Sequence, residues 1–219
     1  MISKIHLSKV RPYAFKGSEY DSRLESSHVW MSDLTFRKGC YYMVAAESGA
    51  GKSSLCSFLY GLRRDYDGSI TIDGVEAGQM TIAQWCELRN GHLAYLPQEM
   101  HLFPELTVME NIRIKNRLTG YKSEDWIKDA LSRLGVSDKA DVVAGKLSVG
   151  QQQRVAIIRS LCQPFDFVLV DEPVSHLDER NNELVAAMIS EEASKQGAGI
   201  IATSVGNDIK MEFNSIIEL

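Results

Sequence analysis

The chain has 219 residues, 44% of them hydrophobic, which is enough for one well-filled core and predicts a single domain of mixed α/β type. A net charge of −5 argues against a general nucleic-acid binder, which needs a basic face to displace counterions. The four cysteines are too scattered to suggest a metal site or a disulfide framework. The sequence has neither an apolar signal core nor a run near the about 18 apolar residues of a membrane span, so we expect a cytoplasmic protein.

The N-terminal part of the chain predicts two strands separated by an irregular segment. Apolar and polar side chains alternate over residues 2–10 roughly as they do in an edge strand, and residues 29–36 have the pattern of a second strand. Residues 11–28 are polar, and they form either a surface loop with no task or a segment that places a planar side chain on a nucleotide base. The candidates for such stacking are Arg11 and Tyr13, with Phe15 and Tyr20 behind them.

A glycine-rich loop lies between a predicted buried strand, residues 41–45, and a predicted helix that ends at Gly61. Strand, loop and helix N-terminus form the context in which backbone N–H groups bind a phosphate chain. We expect Lys52 to reach the β- and γ-phosphates and Ser53 to bind Mg²⁺; the alternative is a glycine-rich turn without a ligand. The predicted phosphate loop comprises Ala46, Glu47, Ser48, Gly49, Ala50, Gly51, Lys52 and Ser53, with Ser54 following in the helix.

The middle of the chain predicts further strands and then helices. Residues 67–74 predict a β segment antiparallel to the N-terminal strands, and residues 93–96 predict an apolar strand. Gln98 follows that strand. It is either an ordinary loop residue or a residue that contacts Mg²⁺ or the attacking water. Two helix-like stretches come next, at about 109–119 and 123–134. The residues expected to cap them are Thr107 and Ser123.

A second group of motifs lies in the C-terminal half. Residues 147–154 begin a predicted helix that Ser148 is placed to cap. The unbroken apolar run 167–170 is typical of a parallel strand covered on both faces, and it ends in Asp171 and Glu172. Carboxylates at the carboxyl end of such a strand lie where α/β proteins bind ligands. We expect Asp171 to hold Mg²⁺ through water and Glu172 to polarise the water that attacks the γ-phosphate.

Taken in order, these motifs resemble those of ATP-binding-cassette (ABC) ATPases over nearly the whole chain. Within that family the sequence is most similar to the small ATPase subunits of lipoprotein-releasing and macrolide-exporter-type systems. The resemblance implies a P-loop NTPase of ABC type, with a mixed central sheet, an N-terminal antiparallel β part and a helical subdomain, about 99–160, inserted in the nucleotide-binding core of a single domain, 1–219. The residues that carry the resemblance are Gly49, Gly51, Lys52, Ser53, Gln98, Leu147, Ser148, Gly150, Gln151, Asp171, Glu172, Pro173, Ser175, Leu177 and Asp178.

The resemblance also implies a mechanism. Two copies meet head to tail and enclose ATP between the phosphate loop of one and the signature helix of the other. Ser148, Gly150 and Gln151 then lie opposite the partner's γ-phosphate, although Ser148 could also be a plain helix cap, and Asp178 lies at the dimer seam. The surface around Gln98 and 103–108 receives a short helix of the membrane subunit.

The sequence departs from the family after the apolar run 200–203. The family usually has a histidine at the next position, where it contacts the γ-phosphate, whereas this chain has Ser204. His176 lies in the segment after Glu172, where the family often has a small residue, and the sequence does not decide whether it substitutes. We therefore predict slow basal hydrolysis.

Three functional interpretations follow. The leading one is an ATPase subunit, in a homodimer or heterodimer, that powers a membrane transport or extraction complex through integral permease subunits at the inner face of the cell membrane. The second is a slowly hydrolysing regulatory module that signals through a membrane partner. The third is a soluble ABC ATPase. The acidic composition argues against the form of this interpretation in which the partner is nucleic acid.

Overall fold

Two separate sheets carry the strands of the part of the chain that the computed structural model describes, residues 1–17, 24, 27–206 and 208–219. The strands are β1 (Lys4–Pro12), β2 (Asp33–Arg37), β3 (Tyr41–Ala45), β4 (Tyr66–Ile72), β5 (Val75–Glu76), β6 (Leu93–Leu96), β7 (Phe167–Asp171), β8 (Gly199–Ser204) and β9 (Ser215–Glu218). The α-helices are α1 (Lys52–Leu59), α2 (Ile82–Gly91), α3 (Val108–Asn116), α4 (Glu124–Arg133), α5 (Val149–Ser160) and α6 (Glu179–Gln196).

The first sheet is antiparallel, with strand order β2-β1-β4-β5. The prediction of an edge strand over 2–10 is wrong, because β1 pairs with β2 on one side and with β4 on the other. Alternation of polar and apolar residues indicates that one face of the strand is buried, but it does not indicate which edges of the strand are paired. The second predicted strand begins only at Asp33, since Val29 and Trp30 are buried in the turn before it.

The second sheet is parallel, with strand order β6-β7-β8-β3-β9. The N-terminal antiparallel part of the predicted fold class is thus present as a sheet of its own, and the central sheet, predicted as mixed, has only parallel strands. Because all five strands run the same way, the carboxyl ends of β3, β7 and β8 meet at one edge. Loops that follow these strands are therefore brought together, which is where parallel α/β sheets bind ligands.

Two hydrophobic clusters cover the faces of the parallel sheet. Along β7, Val168 and Val170 pack into the cluster of α3 to α6, while Phe167 and Leu169 pack into the cluster that α1 and the antiparallel sheet share. All five residues of β7 are buried, as the unbroken apolar run predicted. The sheet is consequently a rigid base for the loops at its carboxyl edge.

Side chains cap the helices that lie between β6 and β7 in the chain. Thr107 caps α3, Ser123 caps α4 and Ser148 caps α5, as the sequence predicted. Each hydroxyl accepts a hydrogen bond from a first-turn backbone N–H that would otherwise lack an intrahelical partner. None of the helices in the described residues is both long enough and apolar enough to cross a membrane.

Candidate nucleotide-binding site

The glycine-rich loop connects β3 to α1 and curls around its own lysine. Gly51 has a left-handed backbone, with φ of +97°, and is the residue from which α1 begins. The Lys52 side chain is 4% exposed, and its Nζ donates hydrogen bonds to the carbonyl oxygens of Ala46 (3.1 Å) and Glu47 (2.8 Å). Burial lowers the pKa of Lys52, and the nearby carboxylates of Glu172 and Asp171 oppose this effect. The loop thus places a buried lysine at a helix N-terminus, the combination found in phosphate-binding sites.

A cavity of about 260 Å³ opens beside this loop. Its lining combines residues of the loop with two residues that follow β6 and β7. The lining residues are Ser48, Gly49, Gly51, Lys52, Ser53, Ser54, Gln98 and Glu172. The structure therefore brings most of the sequence-predicted phosphate-binding residues together with two of the predicted catalytic ones.

Glu172 is held in an unusual conformation next to the cavity. Its Oε1 lies 3.8 Å from Lys52 Nζ, and its Oε2 accepts a hydrogen bond of 3.0 Å from Gln98 Nε2. Its backbone is left-handed, with φ of +48°, which is rare and unfavourable for a residue with a side chain. The Glu172 N–H donates to Thr203 Oγ1 at 3.1 Å, so that β8 fixes the turn. Strain of this kind is found where the surrounding structure fixes a functional group in place.

Asp171 offers a buried carboxylate at the end of β7. Its Oδ1 accepts a hydrogen bond of 2.6 Å from Thr203 Oγ1, whereas its buried Oδ2 has no hydrogen-bond partner among the described residues. A buried carboxylate oxygen without a donor is costly, and a cation or its bound water would satisfy it. Mg²⁺ takes oxygen ligands and keeps several waters, so Asp171, Ser53 and Gln98 fit it. Within the described residues no group of three or more His, Cys, Asp and Glu side chains could hold a metal.

The start of α5 forms a second set of predicted ligand-binding groups. Ser148 Oγ accepts a hydrogen bond from Gln151 N (3.3 Å), and Gln151 Oε1 accepts one from Ser148 N (3.0 Å). Gly150 packs against the segment after β7, because a Cβ there would lie 2.9 Å from the carbonyl oxygen of His176. Asp178 caps α6 through a 2.8 Å hydrogen bond from Asn181 N. These residues do not line the cavity beside the phosphate loop.

Gln153 connects this second set to the catalytic turn. It is 2% exposed, and its Nε2 donates to the carbonyl oxygen of Glu172 at 3.2 Å. Its Oε1 accepts a hydrogen bond of 3.2 Å from His176 N. One buried amide therefore fixes the segment 172–176 against α5, and the position of Glu172 depends on the helix that Ser148 begins.

The residues predicted to stack on a base lie at the end of β1 and just after it. Tyr13 is 49% exposed, and Lys16 Nζ lies 4.2 Å from the centre of its ring. Arg11 lies in β1 opposite Asp67 of β4. Phe15 is buried against the phosphate loop, since a Cβ on Gly51 would be 3.0 Å from its ring. Tyr20 lies outside the described residues.

Ser204 is the last residue of β8 and is 2% exposed. Its Oγ accepts a hydrogen bond of 3.2 Å from Gly206 N. With Glu172, Ser175 and Val205 it lines a second cavity, of about 200 Å³. Nearby, His176 Nδ1 lies 3.0 Å from Ser175 Oγ. Ser204 is thus adjacent to the predicted catalytic glutamate, and its short side chain is bonded into its own turn.

Comparison with known proteins identifies the family. The sequence profile of ABC transporters matches residues 31–175. The chain belongs to the ABC transporter family. LolD, the lipoprotein-releasing system ATP-binding protein of Shewanella frigidimarina, is 33% identical over 175 residues, which are 78% of this chain and 73% of LolD. MacB, a macrolide export ATP-binding/permease protein of Rhodopseudomonas palustris, is 34% identical over 190 residues, 85% of this chain but only 29% of MacB.

A solved structure shares the fold of this ABC transporter chain. The dimeric bacterial ABC transporter cassette MJ0796 superimposes with a TM-score of 0.82 over 98% of this chain and 94% of that one, at 22% identity. The predicted family and fold class are therefore confirmed. The profile match ends at Ser175, so it includes the phosphate loop, Gln98, the start of α5 and Glu172.

Three residues that the sequence did not single out support the site of this ABC transporter chain. Thr203 bonds both Asp171 and Glu172, and its polar side chain within the apolar run of β8 was an available signal. Trp30 donates from Nε1 to the carbonyl oxygen of Ala50 at 3.1 Å. Neither Trp30 nor Gln153 had such a signal, because their roles depend on contacts between distant segments.

We predict that Gly150→Ala destabilises the protein by about 1–3 kcal/mol, the usual cost of overpacking a tight contact. The added methyl would lie 2.9 Å from a backbone oxygen, so α5 or the segment around His176 must move. Thermal unfolding followed by circular dichroism measures the change. Gly91→Ala is the matched control, because a Cβ there meets no atom within 4 Å. Equal melting temperatures for the two variants would contradict the close contact.

Proposed function

We propose that the chain is the ATP-hydrolysing subunit of a membrane transport or extraction complex, in which two cassettes enclose ATP head to tail. The observation that carries the proposal is the Glu172 carboxylate, held in a strained turn within 3.8 Å of the phosphate-loop lysine and hydrogen-bonded to Gln98. A carboxylate beside a phosphate-binding loop suits the activation of a water molecule for attack on a phosphoryl group.

Each residue of the site has a role in this proposal. Lys52 neutralises the β- and γ-phosphates, and the N–H groups of the loop, from Ala46 to Ser54, bind their oxygens. Ser53, Gln98 and Asp171 hold Mg²⁺, which would offset phosphate charge when bound. Glu172 orients water and accepts its proton, while Gln98 keeps the carboxylate in position. Arg11 or Tyr13 stacks on the adenine ring. The half-exposed ring of Tyr13 supports Tyr13 as the stacking residue.

The second half of each ATP site comes from the other cassette. Ser148, Gly150 and Gln151 present the N-terminus of α5 to the partner's γ-phosphate, and Asp178 lies at the seam between the two sites. A capped helix N-terminus is suited to a phosphate, because its dipole and free N–H groups favour negative charge. The dimeric state of the MJ0796 cassette, which has this fold, supports a paired arrangement. The pair is a homodimer or a heterodimer of ATPase subunits.

The membrane partner is an integral permease, to which the chain binds at the inner, cytoplasmic face of the membrane. The relatives LolD and MacB support this assignment, since one is the ATP-binding protein of a releasing system and the other joins an ATP-binding part to a permease. Residues of about 99–160 act as the inserted helical subdomain that contacts the permease. Nucleic acid is not a partner, in keeping with the net charge of −5.

Ser148→Arg tests the dimer directly. We expect this variant to bind ATP as the natural protein does and to remain monomeric, because a large cation on the α5 turn would occupy the space of the partner's phosphates. Size-exclusion chromatography with and without ATP, together with titration of a fluorescent ATP analogue, measures both properties.

Ser123→Arg is the matched control for this variant. It removes the cap of α4 in the same way, at a cost of about 1 kcal/mol, but lies outside the proposed dimer surface. Loss of ATP binding by the Ser148→Arg monomer would show that Ser148 belongs to its own site, and ATP-dependent dimers of this variant would contradict the arrangement.

A further inference from the structure

Trp30 contacts the phosphate loop from the side away from the cavity. Its side chain is 2% exposed and lies in the hydrophobic cluster that α1 and the antiparallel sheet share. The indole Nε1 donates a hydrogen bond of 3.1 Å to the carbonyl oxygen of Ala50, in the middle of the loop. The turn that carries Trp30 is itself anchored. Ser27 Oγ accepts from Trp30 N at 2.9 Å, and Met31 N donates to a carbonyl oxygen of β1 at 2.9 Å.

The planarity of the peptide bond links this carbonyl group to a donor of the phosphate site. In a trans peptide the C=O of one residue and the N–H of the next point in opposite directions, and every peptide bond in the described residues is trans. Because the Ala50 carbonyl points to Trp30, the Gly51 N–H is directed to the other side. Gly51 lines the cavity beside the loop, whereas Ala50 and Trp30 do not. Among the described residues Gly51 N has no hydrogen-bond partner, so it is available to a phosphate oxygen.

This peptide can rotate easily, because a glycine follows it. Gly51 has φ of +97°, in a region where glycine meets little steric resistance, and it has no Cβ to disfavour other orientations. The rings of Phe15 and Trp30 also require glycine, since a Cβ on Gly51 would lie 3.0 and 3.2 Å from them. A rotated peptide would present the Ala50 carbonyl oxygen to the phosphates and withdraw one N–H donor. A hydrogen bond that selects one orientation of the peptide is therefore needed.

On the basis of the proposed ATP-binding function, we propose that Trp30 is a positioning residue for the phosphate chain. Its indole N–H fixes the peptide between Ala50 and Gly51 so that the Gly51 N–H faces the phosphates. Trp30 acts only through this peptide. The Gly51 N–H contacts phosphate in the bound substrate and in the transition state alike, so Trp30 raises ATP affinity and leaves kcat unchanged.

A second indole in the same hydrophobic cluster shows that packing alone does not require such a bond. Trp85 is 3% exposed, and its Nε1 has no hydrogen-bond partner among the described residues. The two tryptophans therefore differ in one respect that matters here, the hydrogen bond to the phosphate loop. Trp85 is for this reason the matched control for Trp30.

Two kinds of replacement, made in the full chain, test the proposal. Replacement of Trp30 by 3-benzothienylalanine puts sulfur in place of the indole N–H and keeps the shape of the side chain. Trp30→Phe removes the donor together with part of the volume. The same two replacements at Trp85 are the controls. Titration of a fluorescent ATP analogue measures affinity, and competition by ATP and by inorganic triphosphate separates the phosphate contribution from that of the base.

Both replacements of Trp30 should weaken the binding of ATP and of inorganic triphosphate by about three- to tenfold, the effect of one hydrogen bond. Both replacements of Trp85 should leave these affinities unchanged. KM for ATP should rise by the same factor in the Trp30 variants, with kcat at saturating ATP unchanged. Circular dichroism checks that each variant is folded. The benzothienylalanine variant leaves no cavity, so it gives the answer if Trp30→Phe does not fold.

Natural affinity in the Trp30 variants, or equal weakening at Trp30 and Trp85, would overturn the proposal. Weaker binding of ATP with unchanged binding of inorganic triphosphate would also overturn it, because the effect would then lie on the base. Hydrolysis of ATP by the natural protein is measured separately. Its absence with the affinity pattern intact would contradict the proposed function alone, and its presence without that pattern would contradict the role of Trp30 alone. A natural protein that binds neither ligand would contradict both.

Discussion

Glu172→Gln should reduce ATP hydrolysis by about 10²–10⁴-fold, the usual contribution of a positioned general base, and leave ATP affinity close to that of the natural protein. The amide oxygen can still accept the hydrogen bond from Gln98, so the shape of the site is kept. The negative charge 3.8 Å from Lys52 is removed, so one competitor of the phosphates for that ammonium group is lost. ATP should therefore bind, remain intact and hold the dimer together. Phosphate release and size-exclusion chromatography at saturating ATP measure the two effects.

Glu87→Gln is the control for this prediction, since it makes the same chemical change on an exposed residue of α2. It should retain natural turnover and natural dimerisation. A Glu172→Gln variant that turns over normally would remove Glu172 from the chemistry. One that is inactive but stays monomeric at saturating ATP would contradict the head-to-tail dimer and leave the role of Glu172 intact.

The sequence predicts the site well where one short segment carries the information. The phosphate loop, Gln98 and Glu172 each follow a strand that is recognisable from its apolar pattern. Parallel strands bring their carboxyl ends to one edge, so residues far apart in the chain line one cavity. Strand type and chain order were sufficient for this part of the prediction.

Features that depend on pairing between distant segments could not be predicted in the same way. The burial pattern of β1 is that of any strand with one covered face, and only the partners β2 and β4 make it an inner strand. In the sequence Gln153 is only a polar residue of a predicted helix. Its role depends on the segment 172–176, which packs against it in the folded structure. Helix α6 is missing from the prediction although its buried residues recur at helical spacing, so in that case the signal was present.

Ser204 separates the two membrane-linked interpretations of the chain. The family resemblance leads us to expect a histidine at this position as a donor to the γ-phosphate, and this chain has a shorter hydroxyl that accepts from Gly206 N. A site that lacks one preorganised donor hydrolyses slowly, and a slowly hydrolysing cassette would suit a regulatory module. A transport subunit would need the donor from elsewhere, for example His176, or from closure on its membrane partner.

Ser204→His should raise kcat by about 10²-fold, the usual contribution of one preorganised donor to a transition state. The imidazole would extend into the cavity of about 200 Å³ that Ser204 shares with Glu172, and so approach the site of the attacking water. KM for ATP should change little, because an interaction made mainly in the transition state changes kcat alone. Steady-state ATPase assays of the two proteins, with dimer lifetime followed in parallel, measure the effect.

Two further variants test whether the effect of Ser204→His comes from the imidazole as a donor. Ser204→Leu fills the same cavity without a donor and should not accelerate hydrolysis. His176→Ala, made in the natural protein, should leave the rate unchanged if His176 supplies no contact, although its ring now lies 3.0 Å from Ser175. Suppose instead that the natural protein turns over at an ordinary rate, that Ser204→His is no faster and that His176→Ala is slow. The donor would then come from the segment after Glu172, and the regulatory interpretation would lose its main support.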